Sequence, residues 1–221
     1  MTGKPKSGGG RRYRGRTAEQ LRDERRSRLL DAALALFAER GYPNTPIEML
    51  CATAKVTTRH FYEQFDGREA LLKALYQQIQ TQAWAHIEAA LQNPDLPPTK
   101  RVEAAVAAYL GHVLDDPRRA RITALEVVGV SQELEQLRRG AVHAFTAIVE
   151  QFASELAKQE HLPSRDYHLP AVALVGAIRE LVIEWLTAGQ KTPPDKLVRE
   201  AILFLRVLLL GTQQYGRPKS G

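Results

Sequence analysis

The chain has 221 residues, 44% of them apolar, and its 31 lysines and arginines outnumber its 25 acids to give a net charge of +6. That length and composition suit one sizeable domain or a small one joined to a larger one, and no apolar run of about 18 residues is present to cross a membrane. The single cysteine, Cys51, excludes an internal disulfide framework and fits a reducing cytoplasm, and the basic start "MTGKPKSGGGRRYRGR" lacks the apolar run of a secretory signal.

The charge is concentrated at the front. Residues 1–30 hold ten Lys/Arg and three Asp/Glu, residues 31–75 five and six, and residues 76–221 sixteen of each. Residues 1–18, rich in Gly, Lys and Arg, read as an arm without structure of its own. Such an arm suits a polyanion (DNA, RNA or an anionic membrane), and equally a solvated tail. A helix is expected from about Ala18 to Arg40, with Leu29, Ala33 and Phe37 spaced by four and Gly41 as its stop. In "GYPNTPIEML", Thr45, Pro46 and Glu48 read as a capping box with proline at the first helical position, opening a helix that runs to about Thr53. "AKV" is a turn, Thr57 caps a helix ending near Phe65, and a longer helix starts at Asp66 or Gly67 and continues to about Leu91. Further helices are expected near 100–115, 118–129, 131–160, 168–189 and 194–211, separated by Pro117, Gly129 to Ser131, "HLPSRD" and "GQKTPPD". No period-2 strand pattern interrupts them, so the fold class is all-α.

Two short helices joined by a tight turn, the second opening on hydroxyls and a cation, form a helix-turn-helix pattern. The second helix of such a motif enters the DNA major groove with its first residues near base edges. Thr57 and Thr58 can donate to phosphate or base, Arg59 can make a bidentate contact to guanine, and His60 can donate or accept. Phe61 and Phe65, one turn apart, face inward, while Tyr62 lies off that line with its hydroxyl free for a phosphate. The alternative is a capped, solvated helix end.

The segment from Leu29 to Leu72 resembles the N-terminal domain of the TetR (tetracycline-repressor) family of transcriptional regulators. The residues carrying the resemblance are "FAERGY", Thr45, Ile47, "LC", "AKVT", "FYEQF" and "REALL". Three positions depart from the family pattern. Lys55 stands for the usual turn glycine, where a positive φ costs a non-glycine residue roughly 1 kcal/mol. Cys51 stands for alanine, and Arg68 for lysine. The resemblance implies a three-helix DNA-binding domain followed by a larger helical ligand-binding domain, and a homodimer formed by the last two long helices. The expected divisions are an arm at 1–18, the DNA-binding domain at 19–72, and the ligand-binding and dimerisation domain at 73–213. The expected DNA contacts are Thr45, Lys55, Thr57, Thr58, Arg59, His60, Tyr62 and Arg68.

The C-terminal two-thirds embeds polar residues in apolar helices, among them Tyr109, His112, Glu126, His143, Arg179, Glu180 and Glu184. Tyr109, Glu126, His143 and Glu180 are the candidate ligand contacts, with salt-bridged or surface carboxylates as the alternative for the two acids. In "LVREAILFLRVLLLG", Leu197, Ala201, Phe204, Leu205 and Leu208 are the expected dimer interface. Cys51 reads as a small buried hydrophobe. The six histidines have no metal-ligand spacing and no catalytic motif is present, so neither a metal or other cofactor nor an enzyme is expected. The expected function is that of a cytoplasmic homodimeric repressor, released from a near-palindromic double-stranded operator by an unidentified small molecule, with no membrane partner. The alternatives are a ligand-independent structural DNA-binding protein and a helical enzyme with a basic tail.

Overall fold

The computed structural model describes residues 17–215, and no strand occurs among them. The arm expected over 1–18 thus lies outside the described residues, apart from Thr17 and Ala18. The chain divides into two compact units, one through Ala74 and one from Leu75. No helix among the described residues is long and apolar enough to cross a membrane.

In the first unit, α1 (Ala18–Arg40) opens on a reciprocal capping box between Thr17 and Gln20. It stops at Gly41, whose φ of 83° suits glycine and whose N–H donates to the Phe37 carbonyl. The turn to α2 (Ile47–Ala54) differs from the expected capping box. Pro46 occupies the cap position with no side-chain cap bond. The Thr45 hydroxyl turns inward instead, donating toward the carbonyls of Gly41 at 2.9 Å and Leu36 at 3.4 Å. Lys55 takes the left-handed conformation, φ 53° and ψ 48°, that the turn requires. Then α3 covers only Thr58–Tyr62, shorter than expected, and α4 runs Arg68–Leu91. Leu29, Phe37, Leu50, Phe61, Leu71 and Leu72 are completely buried.

In the second unit, α5 (Pro98–Asp115), α8 (His168–Thr187) and α9 (Pro194–Tyr215) share one apolar core that includes Val106, Leu110, Ile178, Trp185, Ala201 and Leu205. Between them lie α6 (Pro117–Arg121), capped by Asp116, and α7 (Gln132–Lys158), capped by Ser131. The helix expected over 118–129 departs from α geometry: after Arg121 the backbone widens into a π turn at Ile122–Glu126. The Trp185 indole N–H donates to the Thr192 carbonyl at 2.7 Å and ties the α8–α9 loop to α8. Glu103 on α5 takes a two-pronged bond from Arg206 on α9, at 2.8 and 2.7 Å.

Leu110 is 1% exposed in this core, so Leu110→Ala is expected to cost about 2–5 kcal/mol, read from the midpoint of urea unfolding. Hydrogen bonding from Arg206, with Lys100 beside it, holds the Glu103 carboxyl below its ordinary value of 4.5 despite partial burial. A lowered folded-state pKa contributes stability above the unfolded value and loses it as pH falls through the folded one. Glu103→Gln is therefore expected to be less stable than the parent at pH 7. That difference should shrink as the pH drops below 4.5, measured by thermal unfolding across pH.

Candidate nucleic-acid interface and ligand cavity

The helix α3 is barely more than one turn, so its position depends on what holds it. Phe61 is 0% and Phe65 5% exposed, their ring centroids 5.9 Å apart, and the Arg26 guanidinium lies over the Phe65 ring. Gln64 donates to the Arg22 carbonyl and Arg28 to the Lys55 carbonyl, so α1 pins both ends of the α3 segment. With the two phenylalanines inside, Thr58, Arg59 and Tyr62 project to solvent, as expected from their spacing. The Arg59 side chain is 87% exposed and makes only a 3.3 Å contact to Glu63 one turn on. An exposed pair of that kind holds it weakly, leaving the guanidinium available to a base edge.

Thr57 caps α3 by accepting from the His60 backbone N–H, and its hydroxyl also lies 2.9 Å from His60 Nδ1. When the hydroxyl donates to Nδ1, the ring proton sits on Nε2, the donor on the far side of the ring. Thr57 therefore orients His60. Two of the expected DNA contacts have other tasks. Thr45 is completely buried with its hydroxyl bonded internally, so it is no phosphate contact in this structure. Arg68 Nη1 donates to the carbonyls of Tyr42, Pro43 and Thr45, with the guanidinium over the Tyr42 ring. It clamps the α1–α2 turn. The sequence carries no sign of either role, because both partners are backbone carbonyls exposed only by the shape of that turn. Cys51 is buried, and that burial pushes its thiol pKa up, in keeping with a small hydrophobe.

A cavity opens between α4, α5, α7 and α8 of the second unit, about 920 Å³ including the part open to solvent. Its body is apolar, with Ile87, Val102, Val106, Phe145, Ile148 and Val182 on its walls. Its polar lining comes from Tyr76, Gln80, Tyr109, Thr123, Arg138 and Arg179. Burial raises the pKa of both tyrosines, and the positive charge of Arg179 pulls against that rise at each. Arg138 is held by Glu135 through bonds of 2.7 and 2.9 Å. Gln80 donates to the Tyr76 hydroxyl, and its Oε1 is buried with no partner.

Of the four expected ligand contacts, only Tyr109 lines this cavity. Glu126 closes the π turn by accepting from Arg121 at 3.0 Å, while His143 and Glu180 face solvent. The polar residues missed were Tyr76, Gln80, Thr123 and Arg138; Arg179 stood out as embedded but not as a ligand contact. Nor do the expected interface residues share one face. Leu197, Ala201 and Leu205 are 6%, 0% and 1% exposed and belong to the chain's own core, with Leu208 packed against it. Among the described side chains, the large exposed apolar residues of α9 are Leu203, Phe204 and Val207, and those of α8 are Leu169, Val172 and Leu181. A broad apolar stripe on α9 covers both a core-facing and an outward face, and spacing alone does not separate them. Elsewhere, the His86 and His112 rings lie 5.2 Å apart, but the described residues contain no group of three His, Cys, Asp or Glu able to hold a metal ion.

Residues 29–75 match the sequence model of the tetR family of bacterial regulatory proteins. The HTH-type transcriptional repressor DhaR of Mycobacterium sp. (strain GP1) is 27% identical over 85 residues, 38% of this chain and 43% of that protein, so the match spans less than half of that relative. The fatty acid metabolism regulator protein of Bacillus subtilis (strain 168) is 23% identical over 164 residues, covering 74% of this chain and 84% of its own. Among solved structures, the fatty acid degradation regulator FadR of Bacillus halodurans superposes with a TM-score of 0.76 at 20% identity, over 85% of this chain and 95% of that one. FadR of Bacillus subtilis, solved in complex with stearoyl-CoA, superposes with a TM-score of 0.73 at 20% identity, over 84% and 98%. At such identity these superpositions speak for the fold. The helix-turn-helix is built by the same residues that the family model covers, so residues 29–75 form a domain similar to that of the tetR family of bacterial regulatory proteins.

Proposed function

We propose that the protein is a homodimeric repressor that reads a near-palindromic operator with α3 of each subunit and lets go when a small molecule occupies the cavity of the second unit. The observation that carries the reading is the split of α3 into two faces: Phe61 buried behind, Thr58, Arg59 and Tyr62 presented in front. Arg59 and His60 discriminate bases, and Thr58, Tyr62 and Lys55 follow the backbone. Thr57 orients His60 and Arg68 holds the turn. The division of labour is a basic arm over 1–18, a reading domain over 19–72 and a ligand-binding and dimerisation domain over 73–213. The protein acts where its operator is, in the cytoplasm.

Two features support the dimer and the effector. Leu203, Phe204 and Val207 on α9 and Leu169, Val172 and Leu181 on α8 are large apolar side chains left in water by one subunit. A second copy covers them by the same faces of its own two helices, giving a four-helix interface. Two reading heads are then held at a fixed spacing, about one helical turn of DNA apart. The largely apolar cavity supports an effector with an apolar body, as with the stearoyl-CoA bound by FadR of Bacillus subtilis. Release requires that the effector bind the non-reading conformation more tightly than the reading one.

Selection of bound sequences from a random DNA pool tests the reading head. Arg59→Ala is expected to cost roughly 1–3 kcal/mol at one base position and relax preference there, whereas an unchanged motif would refute its role. Arg68→Ala should weaken all sequences alike and lower thermal stability as well. Removing residues 1–16, which carry six Lys/Arg and no acid, should flatten the salt dependence of binding by about 0.9 in log–log slope for each phosphate that the arm neutralises. For the interface, Leu203→Glu with Val207→Glu is expected to give a helical monomer with weak operator binding. Recovery of a dimer from that variant by light scattering would overturn the placement.

A further inference from the structure

We infer that the cavity takes a single-chain alkyl carboxylate, its carboxylate held at Arg179 and its chain running toward Ile87 and Ile148. This rests on the ligand-responsive reading above and adds the chemical class and the direction in which the ligand lies. The lining residues change character in order along three helices. On α4 the lining passes from Tyr76 and Gln80 to Ile87. On α7 it passes from Arg138 to Ile148 and Val149, and on α5 the order reverses, from Val102 and Val106 to Tyr109. The polar groups meet at one end: Arg179 acts electrostatically on the hydroxyls of both Tyr76 and Tyr109. The other end is hydrocarbon. From Tyr76 to Ile87 is about 16 Å at the helical rise of 1.5 Å per residue, so the cavity is long as well as polarised.

The polar end is unfinished. Arg138 already has its carboxylate in Glu135. Arg179, half-buried, has no ion pair or hydrogen bond among the described residues, and Gln80 has a buried amide oxygen without a partner. A buried amide oxygen left so in an apolar wall, beside a guanidinium that has no acid, calls for an occupant. The lone cation sets its sign: a carboxylate matches a guanidinium in two parallel hydrogen bonds. The Gln80 amide can join by turning over, so that the Tyr76 hydroxyl donates to its oxygen and its NH₂ faces the ligand; the two amide orientations are interchangeable in the network. The hydrocarbon end disfavours a phosphate-rich head. Ile87 and Ile148 also border a surface groove whose remaining lining is Trp84, Glu88, Leu91 and Gln92, with one acid and no cation. A coenzyme A head emerging there would meet Glu88. A free carboxylate satisfies the inner end and leaves that groove to the tip of the chain.

The test uses the full chain and four probes that differ at the head: dodecanoate, dodecanol, dodecyltrimethylammonium and lauroyl-CoA, titrated by calorimetry. Dodecanoate is expected to bind at least about tenfold more tightly than dodecanol, the scale of one charge-assisted bond, with the ammonium weakest. Arg179→Gln should erase the preference for the acid over the alcohol, and Arg179→Lys should retain part of it. Circular dichroism checks that each variant is folded, and Gln80→Leu, expected to reduce the same preference, serves if Arg179→Gln is not. Direction is read separately. Trp84 stacks on Phe145 at 4.6 Å on the hydrocarbon side, so 12-bromododecanoate should quench its fluorescence more than 2-bromododecanoate, a difference that disappears in Trp84→Phe. Equal binding of acid and alcohol, a preference for acid that survives Arg179→Gln, lauroyl-CoA binding more tightly than dodecanoate, or stronger quenching by the 2-bromo acid would overturn the inference. Anisotropy of a labelled operator separates the two readings. If dodecanoate binds as described but leaves DNA bound, the ligand class stands and release by it falls. If another metabolite releases the DNA while no alkyl carboxylate binds, release stands and this inference falls.

Discussion

The reading function proposed for α3 depends on the burial of Phe61 and Phe65. A helix of five residues, Thr58–Tyr62, has no independent stability in water, because nucleation fixes several residues before the helical bonds repay it. Its geometry is imposed by two buried aromatic rings, Phe61 at 0% and Phe65 at 5% exposed, the second lying under the Arg26 guanidinium of α1. Further contacts trim that arrangement, among them the Arg28 bond to the Lys55 carbonyl, the Gln64 bond to Arg22, and the Thr57 cap. Because the anchoring residues and the presented residues alternate within one turn, a shift of the phenylalanines would re-aim Arg59 and His60 together.

Lys55 adds a second constraint. Its φ of 53° is one an L side chain adopts at a cost of roughly 1 kcal/mol, yet the turn keeps it. The backbone carries that cost because the turn lies between two buried residues, Ala54 and Val56, and its N–H groups are satisfied: that of Lys55 bonds the Ala52 carbonyl and that of Val56 the Cys51 carbonyl. What a lysine contributes and a glycine does not is an ammonium on an exposed residue at the edge of the reading face. The departure from the family's glycine thus exchanges a little backbone comfort for charge where a phosphate backbone passes in the proposed complex.

The helices were legible because their signals are local. Gly41 ended α1, Pro117 opened α6, and the spacing of Leu29, Ala33 and Phe37 declared a buried face. What was not legible depended on shape. The Thr45–Glu48 spacing matched a capping box, but two carbonyls near the end of α1 competed for the threonine hydroxyl and won. The π turn at 122–126 has no sequence sign, since a widened turn needs only local accommodation of one residue. On α9, residues 197, 201 and 205 and residues 203, 204 and 207 are equally apolar, and only the position of α5 and α8 decides which set is core. In the cavity the acids attracted attention as buried charges, yet Glu126 had an arginine five residues back in sequence. Beside Tyr109, the polar end is built from side chains at 76, 80, 138 and 179, on three different helices that no spacing rule connects.

That dispersed polar end also explains how specificity and stability oppose each other here. An apolar residue in place of Arg179 or Gln80 would leave neither a half-buried guanidinium without an acid nor a bare amide oxygen in the cavity wall. A group fully withdrawn from water without a partner, as the Gln80 amide oxygen is, costs on the order of 1–3 kcal/mol, in a unit whose total stability is a small difference between large terms. The retention of both residues in a wall of valine, isoleucine and phenylalanine follows if the empty state is one of two working states: an occupant then recovers the missing hydrogen bonds and shifts the population toward whichever conformation closes best around it. In the proposed switch, the same groups would supply the differential affinity on which release depends.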